Sequence, residues 1–344
     1  MLPPAFPEYD TISSVGTNRQ NSDRSSICQS RDVGGPSFVV FDAPVALIVF
    51  NRPKCTQMVF DAIRIAKPSE FFLIADGPRT MERGDRDACR DVLALVDRID
   101  WPCKVMRNIS TQNLGMRERT ISGLDWVFSQ VDKAIILEDD CVPDASFFDF
   151  CGELLKRYQD DSRVAMISGT NFVEDYLQTE YSYYFSHMNH LWGWATWRSS
   201  WYRYDRFLQR WPEIREARLL SEILEPKAAV YYWTRIFDQI HKGEGPDTWD
   251  YQWYFTNLLN NSLSIVPKVN LVTNIGFGFD ATNTKDIEFS QSIGSKSLQF
   301  PMKHPPHMFP LRSMERYDQE VAYLSPMRKR LTNMVRLIDT LPGA

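Results

Sequence analysis

Continuous apolar runs recur through the first half of the chain, and a polar cluster and then a stretch with helical periodicity follow most of them. Residues 45–50, 71–75 and 134–137 form the three clearest runs. A run that is apolar at every position suits a strand buried on both faces, because helices cover both faces of a parallel sheet. Residues 103–106 and 164–167 predict two shorter strands of the same sheet.

The segments between these strands predict one helix that follows Pro53 and ends near Ala66, and further helices over residues 81–99, 115–130 and 145–158. Strands that alternate with helices over about 125 residues imply an α/β fold. We therefore expect a Rossmann-like, mostly parallel sheet flanked by helices.

The alternation ends near Gly169, and aromatic and polar residues dominate the chain beyond it. Eight of the ten tryptophans lie between residues 192 and 253. We predict helices near residues 198–209 and 228–260, and short strands near 264–273. This part is interpreted as a second, aromatic-rich lobe.

The pattern divides the chain into four predicted parts. Residues 1–42 are polar and lack apolar periodicity, which predicts a flexible N-terminal arm. Residues 43–170 form the Rossmann-like half, and residues 171–285 form the aromatic-rich half. Residues 286–344 form a C-terminal extension that contains an amphipathic helix.

Two interpretations of this C-terminal helix stay open. The helix packs against the rest of the chain, or it lies on a membrane surface as a peripheral contact. Its apolar stripe consists of Met327, Leu331, Met334, Val335, Ile338 and Leu341.

Composition excludes several classes of protein. The net charge of −5 argues against nucleic-acid binding, which usually shows a basic footprint. The six cysteines form no CxxC pair, so neither a zinc site nor a disulfide scaffold is expected, and a reducing compartment is the simplest interpretation. We find no secretory signal and no apolar run as long as a membrane span, which predicts a cytoplasmic protein.

Three adjacent acids, Glu138, Asp139 and Asp140, follow the buried strand at 134–137. Such acids repel one another, and burial adds a desolvation cost. A bound Mn²⁺ or Mg²⁺ ion removes both problems, and these hard cations prefer oxygen ligands. The alternative is that the acids only favour the dipole of the next helix.

Polar residues also follow the first two strands, where open parallel sheets bind ligands. Asn51 and Arg52 follow the first strand, and Asp76 and Gly77 follow the second. We expect Arg52 to contact a nucleotide and Asp76 to accept a hydrogen bond from a base or ribose. A turn and a surface arginine are the structural alternatives.

Another acidic segment, residues 247–253, lies at the predicted start of a helix. Either Asp247 or Asp250 can cap this helix, with the neighbouring tryptophans in the core. An aspartate held near apolar rings has a raised proton affinity, so it can also act as a general base toward a sugar hydroxyl.

These motifs resemble those of the N-acetylglucosaminyltransferase I family, whose members are inverting glycosyltransferases of the GT-A fold. The resemblance covers roughly residues 44–285. It is carried by Ala46-Leu47-Ile48-Val49-Phe50-Asn51-Arg52-Pro53, Ile74-Ala75-Asp76-Gly77, Ile136-Leu137-Glu138-Asp139-Asp140 with Pro143-Asp144 and Phe147-Phe148, and Trp249-Asp250-Tyr251-Gln252-Trp253.

The resemblance implies a role for each site residue. Asp140 binds the metal, and Asp250 is the catalytic base. The remaining residues are implied to bind the nucleotide-sugar donor: Asn51, Arg52, Asp76, Gly77, Arg117, Arg119, Glu138 and Asp139.

The resemblance also implies the partners, a nucleotide-sugar donor with UDP favoured, and a glycan, lipid-linked glycan or glycoprotein acceptor. Tyr251 departs from the family pattern, because it replaces the second Asp of the Trp-Asp-Asp-Trp element. No match extends beyond about residue 285, so the N-acetylglucosamine donor and the glycoprotein acceptor of the eukaryotic enzyme do not transfer.

Several further residues carry weaker hypotheses. Trp192, Trp194 and Trp249 could form a sugar-stacking wall, although core packing is the better explanation for most of these tryptophans. His187 and His190 could supply a metal ligand or be hydrogen-bonded loop residues.

Two other functions stay open from the sequence. A nucleotidyltransferase shares the parallel sheet and the acidic metal site, but it usually carries a glycine-rich phosphate loop near its start. A non-catalytic carbohydrate-binding protein shares the aromatic residues, but it does not need three acids at a sheet edge.

Overall fold

The computed structural model describes residues 42–276 and 293–324. The predicted C-terminal helix and all but the last residue of the predicted N-terminal arm lie outside these ranges. No described helix has the length and apolar character needed to cross a membrane.

An eight-stranded sheet forms the centre of the described chain. A two-stranded sheet, formed by β5 and β10, stands beside it. The strands are β1 (Val45–Val49), β2 (Glu70–Ala75), β3 (Lys104–Ile109), β4 (Lys133–Glu138), β5 (Cys141–Pro143), β6 (Val164–Ser168), β7 (Tyr183–Ser186), β8 (Trp194–Trp197), β9 (Leu263–Pro267) and β10 (Val272–Asn274).

Helices connect these strands and cover both faces of the sheet. They are α1 (Pro53–Ala66), α2 (Asp85–Val96), α3 (Met116–Phe128), α4 (Ala145–Arg157), α5 (Arg198–Trp201), α6 (Trp211–Glu216), α7 (Leu220–Ile223), α8 (Lys227–His241), α9 (Asp250–Leu259) and α10 (Arg312–Asp318), with a 3₁₀ turn at Glu174–Tyr176 and a π-helical turn at Gln319–Leu324.

The strand order is β3-β2-β1-β4-β8-β6-β9-β7. Strands β1 to β4 pair in parallel, β6 pairs in parallel with β9, and only β8 and β7 run antiparallel to their neighbours. The prediction of a mostly parallel sheet flanked by helices is therefore confirmed.

The core has a layer on each face of the sheet. On one face, Phe60 of α1 and Phe147 of α4 pack against β1 and its neighbours. On the other face, Leu124 of α3 and Trp253 of α9 pack against the same strands. The continuous apolar runs of β1, β2 and β4 are therefore buried from both sides, as their sequences predict.

The second half of the chain differs from its prediction in two helices. The helix predicted over 228–260 is two helices, α8 and α9, because the linker between them contains Gly243 with a φ of 76° and Pro246. The helix predicted over 198–209 ends after four residues, at Trp201. Aromatic strands β7 and β8 were not predicted, and both belong to the main sheet.

The boundaries of the four predicted parts stay a prediction. Three strands from the predicted aromatic-rich half, β7, β8 and β9, join the same sheet as the Rossmann-like half. The two halves therefore share one hydrogen-bonded framework, and residues from both reach its carboxyl edge.

Candidate functional site

The carboxyl edge of the parallel strands gathers most of the predicted site residues. Val49 of β1 is level with Ala75 of β2, and Ile48 is level with Glu138 of β4. Because these strands are neighbours that run the same way, the polar residues that follow them emerge side by side. This register explains why segments far apart in sequence can form one site.

Arg52 contacts the acid triplet, which consists of Glu138, Asp139 and Asp140, at this edge. The Arg52 Nη1 atom lies 2.8 Å from Asp140 Oδ2, and Nη2 lies 3.5 Å from Asp139 Oδ1. The Phe50 backbone N–H donates to the other Asp139 oxygen at 3.3 Å. Burial opposes the charge of Arg52, but Asp139 and Asp140 outweigh this effect and raise its pKa.

The acid triplet carries more charge than Arg52 neutralises. Burial raises the pKa of Asp139, and the Arg52 charge opposes this only in part. Burial also raises the pKa of Glu138, with further contributions from Asp140, Asp139 and the more distant Asp250. Three carboxylates therefore face one guanidinium.

These residues fit a divalent cation with open coordination positions. Among the described residues, no three His, Cys, Asp or Glu side chains are grouped so that they could hold a metal ion. Mg²⁺ and Mn²⁺ commonly use one or two protein carboxylates and take other oxygen ligands from a bound phosphate. The excess negative charge and the all-oxygen donor set agree with such a partial site.

Gly276 packs directly on the acid triplet. The β10 strand pairs with β5, which places Asn274 opposite Cys141. The Ile275 N–H then donates to the Asp140 carbonyl at 2.8 Å. A Cβ atom on Gly276 would overlap the Asp140 carboxylate, so only glycine fits without a shift. Residues 277–292, which follow Gly276, lie outside the described residues.

The Asp76 carboxylate is saturated by hydrogen bonds within the protein. Its Oδ1 accepts from the Gly77 and Leu114 backbone N–H groups at 2.9 Å. Its Oδ2 accepts from Asn113 Nδ2 and the Gly115 N–H at 3.0 Å. A carboxylate has about four acceptor positions, and these four donors occupy them. Asp76 therefore positions the 113–115 loop, which differs from the base or ribose contact expected of it.

Gly77 allows the same loop to approach the sheet. A Cβ atom at this position would lie 2.6 Å from the Gln112 carbonyl carbon. A residue with a side chain would push the two backbone segments apart, so Gly77 serves close packing of the backbone.

Asn51 belongs to a polar network that sequence reasoning did not identify. Its Nδ2 donates to Asp85 Oδ1 at 2.7 Å. Arg79 Nε and Nη2 donate to the same carboxylate at 2.7 and 3.1 Å. The hydrogen bonds from Arg79 lower the pKa of Asp85 to about 2, helped by the bond from Asn51. The only sequence signal was the position of Asp85 in the first turn of α2.

Asp250 begins α9 and faces the acid triplet from the second half of the chain. The Thr248 hydroxyl donates to Asp250 Oδ1. Burial raises the pKa of Asp250, and the bond from Thr248 only partly offsets this effect. Its charge is in turn one of the causes of the raised pKa of Glu138. The structure therefore brings the predicted base to the predicted donor site.

Neither Asp247 nor Asp250, the two candidates for a helix cap, caps α9. The N-cap residue of α9 is Trp249, and no side chain caps this helix. Asp247 is exposed instead, and its Oδ1 atom lies 3.3 Å from Arg117 Nε. Arg117, in the first turn of α3, is therefore at the same edge as the site, half-exposed and paired with Asp247.

Arg119 is placed differently from Arg117. It is 4% exposed, and its Nη2 donates to the carbonyl and side-chain oxygens of Asn108 at 2.5 and 2.9 Å. Burial lowers the pKa of its guanidinium. Arg119 thus ties α3 to β3, which does not support the donor-binding role expected of it.

Two of the three tryptophans expected to form a sugar wall are core residues. Trp194 and Trp249 are 0% and 2% exposed, and their rings stack with centroids 5.5 Å apart. A ring enclosed on both faces cannot stack on a sugar, so the wall hypothesis is wrong for both. Trp192 is only partly buried and packs edge to face against Phe172 at 4.9 Å.

His187 and His190, which the sequence offered as possible metal ligands, are hydrogen-bonded to acids of α10. His187 Nδ1 lies 2.9 Å from Glu315 Oε1, and the His187 N–H donates to the same oxygen at 2.6 Å. His190 Nε2 lies 2.5 Å from Asp318 Oδ2, and both side chains are almost fully buried. These pairs hold α10 against the segment that follows β7. They agree with the interpretation of His187 and His190 as hydrogen-bonded loop residues.

Comparisons with known proteins give no family assignment. No protein-family model matches the chain, and no curated protein sequence matches it.

Similar solved structures include three proteins. A UDP-glucose pyrophosphorylase complexed with UDP-glucose is 10% identical, with a TM-score of 0.24, and the match covers 42% of this chain and 62% of that one. The 4-diphosphocytidyl-2C-methyl-D-erythritol synthase of Anaerococcus prevotii is 11% identical over 64% of this chain and 99% of that one, with a TM-score of 0.29. Mouse xyloside xylosyltransferase 1 is 13% identical over 63% and 81%, with a TM-score of 0.29. At these scores the likeness does not extend to the details of the site.

Proposed function

We propose that the protein is a metal-dependent, inverting glycosyltransferase. It transfers a sugar from a nucleotide diphosphate donor, with UDP favoured, to a hydroxyl group of a glycan, lipid-linked glycan or glycoprotein. One observation carries the proposal. An acid triplet at the carboxyl edge of a parallel sheet faces both a cation, Arg52, and a partly buried acid, Asp250, from the other half of the chain.

Asp140 is the residue proposed to hold Mn²⁺ or Mg²⁺, with Asp139 and Glu138 beside it. The support is the charge of the site, since three carboxylates face one guanidinium. A bound cation would neutralise the diphosphate as it leaves the sugar. Arg52 remains within reach of the same region and adds a second positive charge there.

Asp250 is proposed as the general base. A carboxylate whose pKa is raised by burial accepts a proton more readily than an exposed one. Its carboxylate takes the proton of the acceptor hydroxyl while the hydroxyl oxygen bonds to the anomeric carbon. The bond from that carbon to the diphosphate breaks, and its electron pair leaves with the nucleoside diphosphate. A single displacement of this kind inverts the anomeric centre.

The nucleoside is proposed to lie on the β2 side of the acid triplet. In the sheet, β1 stands between β4, which carries the acids, and β2. A donor whose diphosphate lies at the acids can therefore extend its nucleoside across the end of β1, where Asn51 follows Phe50. Asp76 and Gly77 shape this region through the 113–115 loop and Gln112.

An assay of sugar release tests this proposal. The protein is incubated with UDP-sugars and Mn²⁺, water serves as the acceptor, and the nucleotide product is identified by chromatography. We expect Mn²⁺-dependent release of UDP. Formation of a sugar 1-phosphate and UTP when pyrophosphate is added would identify a nucleotidyltransferase instead. Absence of turnover together with sugar binding would identify a carbohydrate-binding protein.

A further inference from the structure

The side chain of Asn51 has a fixed orientation, and this orientation follows from its partner. Asp85 is 6% exposed and pairs with Arg79, so it is an ionised carboxylate. An ionised carboxylate only accepts hydrogen bonds, and the amide nitrogen of asparagine only donates them. The 2.7 Å contact with Asp85 therefore requires the Asn51 Nδ2 atom to face the acid. The Oδ1 atom must then point away from Asp85.

That Oδ1 atom is an acceptor left open at the edge of the site. Within the described part of the chain, the Asn51 side chain has no hydrogen bond other than the one to Asp85. Two neighbouring side chains are occupied, because Asp76 is saturated by four donors and the Arg79 guanidinium is held by Asp85. By contrast, the Asn51 Oδ1 atom can still accept a hydrogen bond from the nucleoside.

We infer that Asn51 and Asp85 together select the nucleobase, with Asp85 positioning Asn51 so that its Oδ1 accepts the N3–H of uracil. The inference rests on the proposed function, because it assigns a donor nucleotide to the same site. Uracil carries a hydrogen on N3, whereas N3 of cytosine carries a lone pair. A fixed acceptor therefore bonds to the first base and repels the second.

Arg79 supports this arrangement through Asp85 and is not proposed to contact the base. Its guanidinium lies over the Phe50 ring at 5.4 Å from the centroid while it holds Asp85. The pair fixes the carboxylate at the first turn of α2, and the carboxylate fixes the amide. Only the last residue of this chain of contacts, Asn51, is proposed to touch the nucleotide.

Binding of UDP and CDP in the presence of Mn²⁺ tests the inference. We expect the wild-type protein to prefer UDP, and we expect the ratio of the two dissociation constants to fall about tenfold in Asp85→Asn, as befits one lost oriented hydrogen bond. With asparagine at position 85, the partner can donate as well as accept, so the Asn51 amide can turn over. Asp100→Asn is the matched control, because Asp100 is also paired with an arginine, Arg64, outside the site.

A second variant covers the case in which Asp85→Asn does not fold. Asn51→Ala removes the acceptor and leaves the pair of Arg79 and Asp85 in place, so the same fall in the ratio is expected. Equal weakening of UDP and CDP in the folded variants, or a wild-type protein that binds both equally, overturns the inference. Failure of the wild-type protein to bind either nucleotide would instead contradict the proposed function itself.

Discussion

Arg52 Nη1 lies 2.8 Å from Asp140 Oδ2, although 88 residues separate the two in sequence. This contact joins the end of β1 to the end of β4, which are adjacent parallel strands. It leaves an excess of negative charge, because Glu138 and Asp139 share the same guanidinium. The excess leads to a direct prediction about the dependence of stability on metal.

Arg52→Gln should lower the thermal stability more without Mn²⁺ than with it. Among the described residues, Arg52 is the only cation in contact with Asp139 and Asp140, so its loss leaves their repulsion unopposed. A bound Mn²⁺ supplies the missing charge and should reduce the difference from the wild type. Thermal unfolding with and without Mn²⁺ measures this. Equal losses under both conditions would contradict a cation site at Asp140.

Asp76→Ala should destabilise the fold by about 1–3 kcal/mol, because it leaves one buried and three part-buried N–H donors without their acceptor. The four donors are Gly77, Asn113, Leu114 and Gly115. Urea unfolding monitored by circular dichroism gives the free energy of unfolding. A variant with unchanged stability and weakened nucleotide binding would instead support the direct contact between Asp76 and the nucleoside that the sequence suggested.

Glu315 should make the fold sensitive to acid. Burial alone would raise its pKa, but the bonds from His187 lower it below the usual value. Because the folded pKa lies below the unfolded value of about 4.3, the stabilisation is present above that pH and is lost as the pH falls further. Glu315→Gln should therefore be less stable than the wild type at pH 6. Its stability should also change less on acidification below about pH 4.3, which urea unfolding at several pH values measures. Parallel pH profiles for the two proteins would contradict this role.

Asp250→Asn should reduce turnover by about 10²–10⁴-fold, the usual contribution of a general base, while donor and metal binding persist. Asp247→Asn is the control. Asp247 lies three residues before the proposed base in sequence, but it is exposed and pairs with Arg117. Its turnover should stay close to that of the wild type. Steady-state kinetics of both variants give the comparison. If Asp250→Asn is fully active, the general base must be another acid.

The stereochemistry of the product tests the same residue independently. A single displacement assisted by Asp250 gives a sugar whose anomeric configuration is opposite to that of the donor. Proton NMR recorded early in the reaction distinguishes the two anomers. Retention of configuration would exclude direct displacement.

The part of the fold that sequence predicted best is the part buried on both faces. Strands β1, β2 and β4 contain continuous apolar runs bounded by polar residues, and these runs are too short for most helices. Strands β7 and β8 were missed because Tyr, Trp, Thr and Ser interrupt the apolar signal. In the second half, Gly243 and Pro246 divide a stretch whose periodicity alone suggests one helix.

The sequence predicted only those residues of the candidate site that directly follow a buried strand. The acid triplet and Arg52 follow buried strands directly, so their proximity follows from the parallel sheet. The bond between Asn51 and Asp85 depends on the path of the loop between β2 and α2, which no local pattern specifies. The saturation of Asp76 and the burial of Trp194 depend likewise on distant partners.

Asp140 and its neighbours are proposed to form a metal-dependent site for a nucleoside diphosphate. Calorimetric titration of UDP into the wild-type protein and Asp140→Asn, each with and without Mn²⁺, tests it most directly. Asp144→Asn serves as the control, because Asp144 caps α4 and asparagine caps a helix as well as aspartate does. We expect UDP to bind the wild type and Asp144→Asn only with Mn²⁺, and we expect Asp140→Asn to lose this dependence along with the binding. Binding of UDP to Asp140→Asn as tight as to the wild type, with the same response to Mn²⁺, would contradict it.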